Sequence, residues 1–192
     1  MTKIGIIMGS IRDGRVNEDV AKWVKNLADK FGGAEYELVD LKDYELPLFA
    51  EPASPAYTDD LVAKEQQRPW SEKMQSFDGY IFVTPEYNHG MPSVLKNALD
   101  YVYTELNDKA AGIVSYGSAG GVRSAEQLRI VLSEFQVAHV RTQPALSLFY
   151  DWNEEGFNPS DAQVKAVNTM LSQLAAWTEG MQFVREKKAQ NQ

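Results

Sequence analysis

The chain has no cysteine, only two histidines, and fewer basic than acidic residues. Without cysteine there can be no disulfide, thiolate nucleophile, iron–sulfur cluster or CxxC redox pair. Any electron transfer must therefore run through a bound organic cofactor. His89 and His139 stand far apart and no HExxH-like pattern is present, so a metal site is not expected. A formal net charge of −8 disfavours nucleic acid and anionic membranes, which call for a basic face. No apolar run is long enough to span a bilayer, and the N-terminal one is too short for a signal peptide. The expected location is therefore cytoplasmic.

What is present is ordinary globular material. The 192 residues, 44% apolar and 24% charged, suit one domain over residues 1–192, without repeats or a linker. Apolar runs and helical periodicities alternate along it. Strands are expected at Lys3 to Met8, Tyr36 to Val39, Gly79 to Thr84, Ala111 to Tyr116 and Val137 to Val140, the last resuming near Leu146. Helices are expected from Asn17 to about Phe31, Thr58 to Ser76 with Pro69 interrupting, Pro92 to Val102, Gly121 to Phe135, and onward from Pro159. The last should bury Val164, Val167, Leu171, Leu174, Trp177, Met181 and Val184. A Pro-punctuated loop, Leu46 to Pro52, fits neither period. Such alternation predicts an α/β fold: a parallel sheet with helices on both faces and ligands at the carboxyl ends of the strands.

The loop after the first strand, Met8-Gly9-Ser10-Ile11-Arg12-Asp13-Gly14-Arg15-Val16-Asn17, has the makings of a phosphate site. A helix N-terminus offers unpaired N–H groups, glycine lets the backbone approach, and arginine adds a forked donor. Arg15 and Val16 stand where a P-loop has Lys and Ser/Thr, so nucleoside triphosphate hydrolysis is disfavoured. No GxGxxG follows the strand, which weakens a dinucleotide reading. The same loop also suits a plain strand-to-helix turn, with Asn17 as the helix cap and both arginines in solvent.

Two further loops fall at the same edge of the sheet. Thr84-Pro85-Glu86-Tyr87-Asn88-His89-Gly90 is a stiff turn with exposed N–H groups, suited to the polar rim of a flat ring. Tyr116-Gly117-Ser118-Ala119-Gly120-Gly121 adds an aromatic plane, a hydroxyl and glycines for close approach. Taken alone, one is a helix-capping turn and the other a glycine-rich connection. Taken together with the first loop, they describe a pocket with a phosphate at one end and a planar ring at the other.

Gly9-Ser10-x-Arg12 with Asn17, Pro85-Glu86-Tyr87-Asn88, and Tyr116-Gly117-Ser118-x-Gly120-Gly121 together resemble the NADPH-dependent FMN reductase family, from Lys3 to about Phe135. That resemblance implies a flavodoxin-like, doubly wound, five-stranded parallel sheet of order 2-1-3-4-5. It also implies FMN at a dimer interface, with NADPH or NADH as hydride donor. Carried over by position, Ser10, Arg12 and Asn17 hold the phosphate, with Arg15 and Val16 beside them. Pro85, Glu86, Tyr87 and Asn88 line the ring and ribityl chain, while Tyr116, Gly117, Ser118 and Gly120 close the other edge. The Arg15-Val16 pair departs from the hydroxyl some members carry there.

The implied activity is ping-pong transfer from NAD(P)H through FMN to a small acceptor: a quinone, azo compound, metal oxyanion or free flavin. No catalytic side chain is required. His89 is read as a loop residue and Arg123 as an exposed helix arginine. The rivals are a flavodoxin-type electron carrier, which by resemblance cradles phosphate without arginine, and a flavin-sensing partner protein. A receiver-type phospho-switch falls, because Met8-Gly9 and Thr84-Pro85 stand where its acidic residues belong. Tyr101, Tyr103 and the segment Phe149-Tyr150-Asp151-Trp152 are either interface aromatics for a homodimer or a dimer of dimers, or lid or core residues.

Overall fold

β1 (Lys3–Met8) is buried from Ile4 onward, because strands flank it on both sides and helices cover both faces. The computed structural model describes residues 1–57 and 67–191. Within them, β2 (Glu35–Asp40), β3 (Gly79–Pro85) and β4 (Ala110–Gly117) join β1 in a parallel sheet, which continues in the short β5 (Ala138–His139). The order is β2-β1-β3-β4-β5, as the flavodoxin-like expectation has it. Register aligns Met8 with Asp40 and Val83, and Pro85 with Tyr116. The carboxyl ends of the four main strands therefore form one edge.

The last strand is not a single element. After β5 the chain leaves the sheet and returns as β6 (Ala145–Ser147), which also pairs with β4 and makes the sheet six-stranded. Pro144 lies at the re-entry; its carbonyl accepts from the Ser115 N–H at 2.9 Å, and it has no N–H of its own to place in a ladder. A small hairpin of β7 (Trp152–Asn153) and β8 (Gly156–Phe157) follows.

Alternate residues of each strand serve opposite faces. Ile7, Tyr80, Phe82 and Ile113 pack with Trp70, Leu95, Leu99, Leu128 and Leu132 from α2 (Arg68–Gln75), α3 (Ser93–Asp100) and α4 (Val122–Glu134). Ile4, Ile6, Ile81 and Val83 face Val20 and Val24 of α1 (Asn17–Phe31) and Met170, Leu171 and Leu174 of α5 (Asp161–Gln190). Each such side chain, fully buried, contributes roughly 1.5–3 kcal/mol.

Several expectations are corrected in detail. Of the helix expected over 58–76, residues 58–66 lie outside the described residues. Pro69 sits in the first turn of α2 rather than interrupting it, where its missing N–H does no harm. Pro92 precedes α3 instead of opening it. Trp177 of α5 is 49% exposed, and the inward position belongs to Thr178. Tyr101 is a core residue, not an interface one: its hydroxyl donates to the Pro47 carbonyl at 2.9 Å. Asn97 holds the same Pro-rich loop, its amide donating to the Leu46 and Pro47 carbonyls and accepting from the Phe49 N–H. Among the described residues no helix is long and apolar enough to cross a membrane, and no cluster of three or more His, Asp or Glu could hold a metal ion.

Candidate functional site

The first loop leaves β1 at Met8 and is pinned at once, since the Gly9 N–H donates to the Val83 carbonyl at 2.9 Å. Ser10 is fully buried, and its hydroxyl shares a 2.8 Å hydrogen bond with the Tyr87 hydroxyl while accepting from the Arg12 N–H. The first and second loops thus meet directly. Arg12 is exposed, with its guanidinium 6.0 Å from the centre of the Tyr87 ring and no carboxylate partner among the described residues. Gly14 turns the chain at φ +65°. Val16 then takes the cap position of α1, and Asn17 is the first helical residue rather than the cap. The Asn17 amide instead reaches inward to the Val83 carbonyl at 3.0 Å.

Arg15 does not lie open to an anion. Its guanidinium grips both carboxylate oxygens of Asp40, the last residue of β2, and also donates to the Ser10 carbonyl. The hydrogen bond to Asp40 raises the Arg15 pKa. Burial pushes the Asp40 carboxyl up, but Arg15 and the Lys42 N–H outweigh it and leave its pKa lowered.

In the second loop the Glu86 N–H donates to the Tyr116 carbonyl at 3.0 Å, tying the loop to β4. Tyr87 and Gly90 exchange backbone hydrogen bonds around Asn88 and His89, at φ +49° and +64°. This is the two-residue turn with both central residues left-handed. Asn88 and His89 are exposed. The Glu86 carboxylate, nearly buried, accepts from the Arg123 N–H at 3.0 Å and from its Nε at 2.6 Å. Arg123 is thus a partly exposed helix arginine that is held by the site's wall.

The third loop closes the other side. Tyr116 and Gly117 are buried, Ser118 is exposed, and Gly120 turns at φ +71° against Ala145. The Ser115 hydroxyl donates to the Gly120 carbonyl at 2.6 Å. Burial pushes the Tyr116 phenol up. The Tyr116 hydroxyl and Asn17 Oδ1 are both buried without a hydrogen-bond partner, a costly arrangement unless a ligand or water completes it.

Between the loops lies a pocket of about 240 Å³. It brings together Arg12, Arg15 and Val16 with Pro85, Glu86, Tyr87, Tyr116 and Gly117. Ser10 and Asn17 stand behind its wall, while Asn88, Ser118 and Gly120 lie beyond its lining. The site residues carried over from the sequence leave out four contributors. Asp13, Gly14 and Leu148 line the pocket, and Asp40 binds Arg15. Leu148 arrives because its N–H pairs with the Gly117 carbonyl at 3.1 Å.

Comparison with known proteins adds to this geometry. Residues 2–151 match the family model described as NADPH-dependent FMN reductase. An NAD(P)H-dependent FMN reductase of Schizosaccharomyces pombe is 42% identical over 146 residues, covering 76% of this chain and 73% of that one. A 2-hydroxy-1,4-benzoquinone reductase of a Burkholderia species is 29% identical over 185 residues, covering 91% and 95%. Among solved structures, FerB, a flavoenzyme NAD(P)H:(acceptor) oxidoreductase of Paracoccus denitrificans, shares the fold. Its TM-score is 0.71 at 20% identity, covering 94% of this chain and 99% of that one.

Proposed function

Because the chain belongs to the NADPH-dependent FMN reductase family, we propose that its three converging loops hold FMN and serve a ping-pong reduction of a small acceptor. Membership of that family makes this a flavin-dependent NAD(P)H oxidoreductase. Bound FMN supplies a two-electron relay between reduced nicotinamide and acceptor.

The residues present fit such a group. Arg12, a cation with no carboxylate partner among the described residues, and the N–H groups opening α1 offer charge-assisted donors for the phosphate. The Tyr116 hydroxyl and Asn17 Oδ1, buried and unpartnered, give polar parts of the ligand something to meet. Tyr87 and Pro85 on one side and Tyr116 and Gly117 on the other supply flat, apolar walls. Asn88 and His89 present backbone N–H groups that make no hydrogen bond among the described residues, placed to stabilise negative charge at the ring's rim. Arg123 neutralises Glu86, which keeps a bare carboxylate from opposing that charge.

The nicotinamide donor and the acceptor take turns at one face, the oxidised donor leaving before the acceptor enters. Quinones, azo compounds, metal oxyanions and free flavin are the acceptor classes in this reading. A homodimer or dimer of dimers goes with it. A pocket of about 240 Å³ is smaller than the roughly 300–1,000 Å³ usual for ligand sites, so a second protomer would complete the walls. Phe149 and Tyr150, exposed next to Leu148, are the side chains to be covered.

The single observation that carries the proposal is the Ser10–Tyr87 hydrogen bond at 2.8 Å, which joins the phosphate loop to the ring-binding loop. The test is a visible spectrum of the purified protein followed by anaerobic NADPH. A flavin spectrum that bleaches, with parallel double-reciprocal lines when a quinone is the acceptor, is the expected result. A flavin left oxidised by NADPH and NADH alike would favour the electron-carrier or sensor reading. A colourless protein that takes up no FMN would end the site assignment.

A further inference from the structure

We propose that Asp40 is a positioning residue for the cofactor's phosphate: through Arg15 it sets the shape of the phosphate loop, and Arg12 alone of the two arginines meets the anion. This rests on the placement of FMN proposed above. An arginine in a phosphate loop is ordinarily taken as a ligand, but here the geometry gives Arg15 another task. Its side chain is 6% exposed. Its NH1 donates to Asp40 Oδ1 at 2.8 Å and to the Ser10 carbonyl, and its NH2 pairs with Asp40 Oδ2. Both terminal nitrogens of the fork are engaged, although Arg15 itself lines the pocket.

Asp40 is itself fixed from two directions. It ends β2 in register with Met8 at the end of β1, and its Oδ1 accepts from the Lys42 N–H at 2.9 Å. The pair therefore ties three points together: the end of β2, the loop just before α1, and the backbone of Ser10. The Ser10 backbone orients its hydroxyl, which holds both the Tyr87 hydroxyl at 2.8 Å and the Arg12 N–H at 3.3 Å. A shift of the strut would reach the phosphate through Ser10 and Arg12, and of the ring-binding walls it would touch Tyr87, through the Ser10 hydroxyl, but not Pro85 or Gly117.

Charge points the same way. Asp40 cancels Arg15, so the loop presents one uncompensated guanidinium, that of Arg12, at the rim of the pocket. A bidentate pair also distinguishes geometry from charge, because lysine keeps the charge and loses the fork.

The experiment measures FMN and riboflavin binding to apoprotein by fluorescence quenching, in wild type, Asp40→Asn, Arg15→Lys and Arg12→Gln. Riboflavin lacks the phosphate, so the ratio of the two affinities reads the loop, and riboflavin binding reports that each variant is folded. Wild type should prefer FMN. Asp40→Asn and Arg15→Lys should each reduce that preference by about tenfold or more, the scale of one lost charge-assisted contact at about 1.4 kcal/mol per tenfold. Arg12→Gln should do the same by direct loss. If Asp40→Asn tightens FMN or leaves the ratio unchanged, Asp40 is a competitor or a bystander and the proposal falls. If Asp40→Asn does not fold, Arg15→Lys decides: a retained preference overturns the strut and a lost one supports it. A wild type that binds riboflavin as tightly as FMN would overturn the phosphate placement itself, and the inference with it.

Discussion

Two glycines of the site, Gly14 and Gly121, adopt nearly the same left-handed backbone, φ +65° and +70°, in opposite surroundings. A Cβ added at Gly14 meets nothing within 4 Å, whereas at Gly121 it would fall 2.7 Å from both the nitrogen and the carbonyl oxygen of Tyr116. Gly14→Ala therefore carries only the backbone penalty, about 1–2 kcal/mol. Gly121→Ala carries that penalty plus the displacement of buried strand backbone, and overpacking of this kind adds about 1–3 kcal/mol. Urea unfolding of the two variants should show Gly121→Ala the less stable, by about 2–5 kcal/mol relative to wild type, because the clash is with β4 itself and no side chain can swing aside. The moved atoms carry Tyr116 and Gly117, so FMN affinity should fall in Gly121→Ala more than in Gly14→Ala. Equal destabilisation of the two variants would refute the close approach of Gly121 to the Tyr116 backbone.

Lys109, just before β4, is buried against the C-terminal end of α2, its ammonium donating to the Met74 and Gln75 carbonyls and the Tyr80 hydroxyl, and burial lowers its pKa to about 8. The unfolded chain holds that proton until higher pH, so stability should rise between about pH 8 and 10. The ceiling is about 3 kcal/mol, reduced by the three acceptors that favour the charged form. Lys109→Met should abolish the rise in denaturant titrations, and an unchanged slope would contradict it. Leu174→Ala should cost about 2–5 kcal/mol, while Trp177→Ala should cost under about 1 kcal/mol because its ring is half in solvent; thermal melts would check both. Thr84→Val would leave the buried Ser124 hydroxyl without its 2.9 Å partner and should cost about 1–3 kcal/mol in the same melts.

The sheet could be read from the chain because its central strands are apolar on both faces, as Gly79-Tyr80-Ile81-Phe82-Val83 shows. The three loops could be read because each follows such a strand and precedes a helix. Other features depend on which strands become neighbours, and periodicity does not carry that. Asp40 lies 25 positions from Arg15, and only the pairing of β1 with β2 brings them together. Asn17 looks like a helix cap by residue type, yet β3 lies alongside β1 and draws its amide to the Val83 carbonyl. Trp177 suits an apolar stripe, but α5 crosses the sheet where β3 begins with Gly79, and the small Thr178 takes the inward place. A Cβ on Gly79 would come within 3.0 Å of its hydroxyl. Tyr101 was ambiguous between surface and core until the Pro47 carbonyl provided a partner for its hydroxyl.

The central claim is that the loops after β1, β3 and β4 form one FMN site. A crystal structure of the protein grown with FMN tests it most directly. The account expects the phosphate within hydrogen-bond distance of Arg12 and the first amides of α1, with Arg15 still on Asp40 and the ring between Tyr87 and Gly117. Flavin seated elsewhere would contradict it, for instance in the larger cavity of about 550 Å³ lined by Tyr36, Gly32 and Thr178 at the opposite end of the sheet.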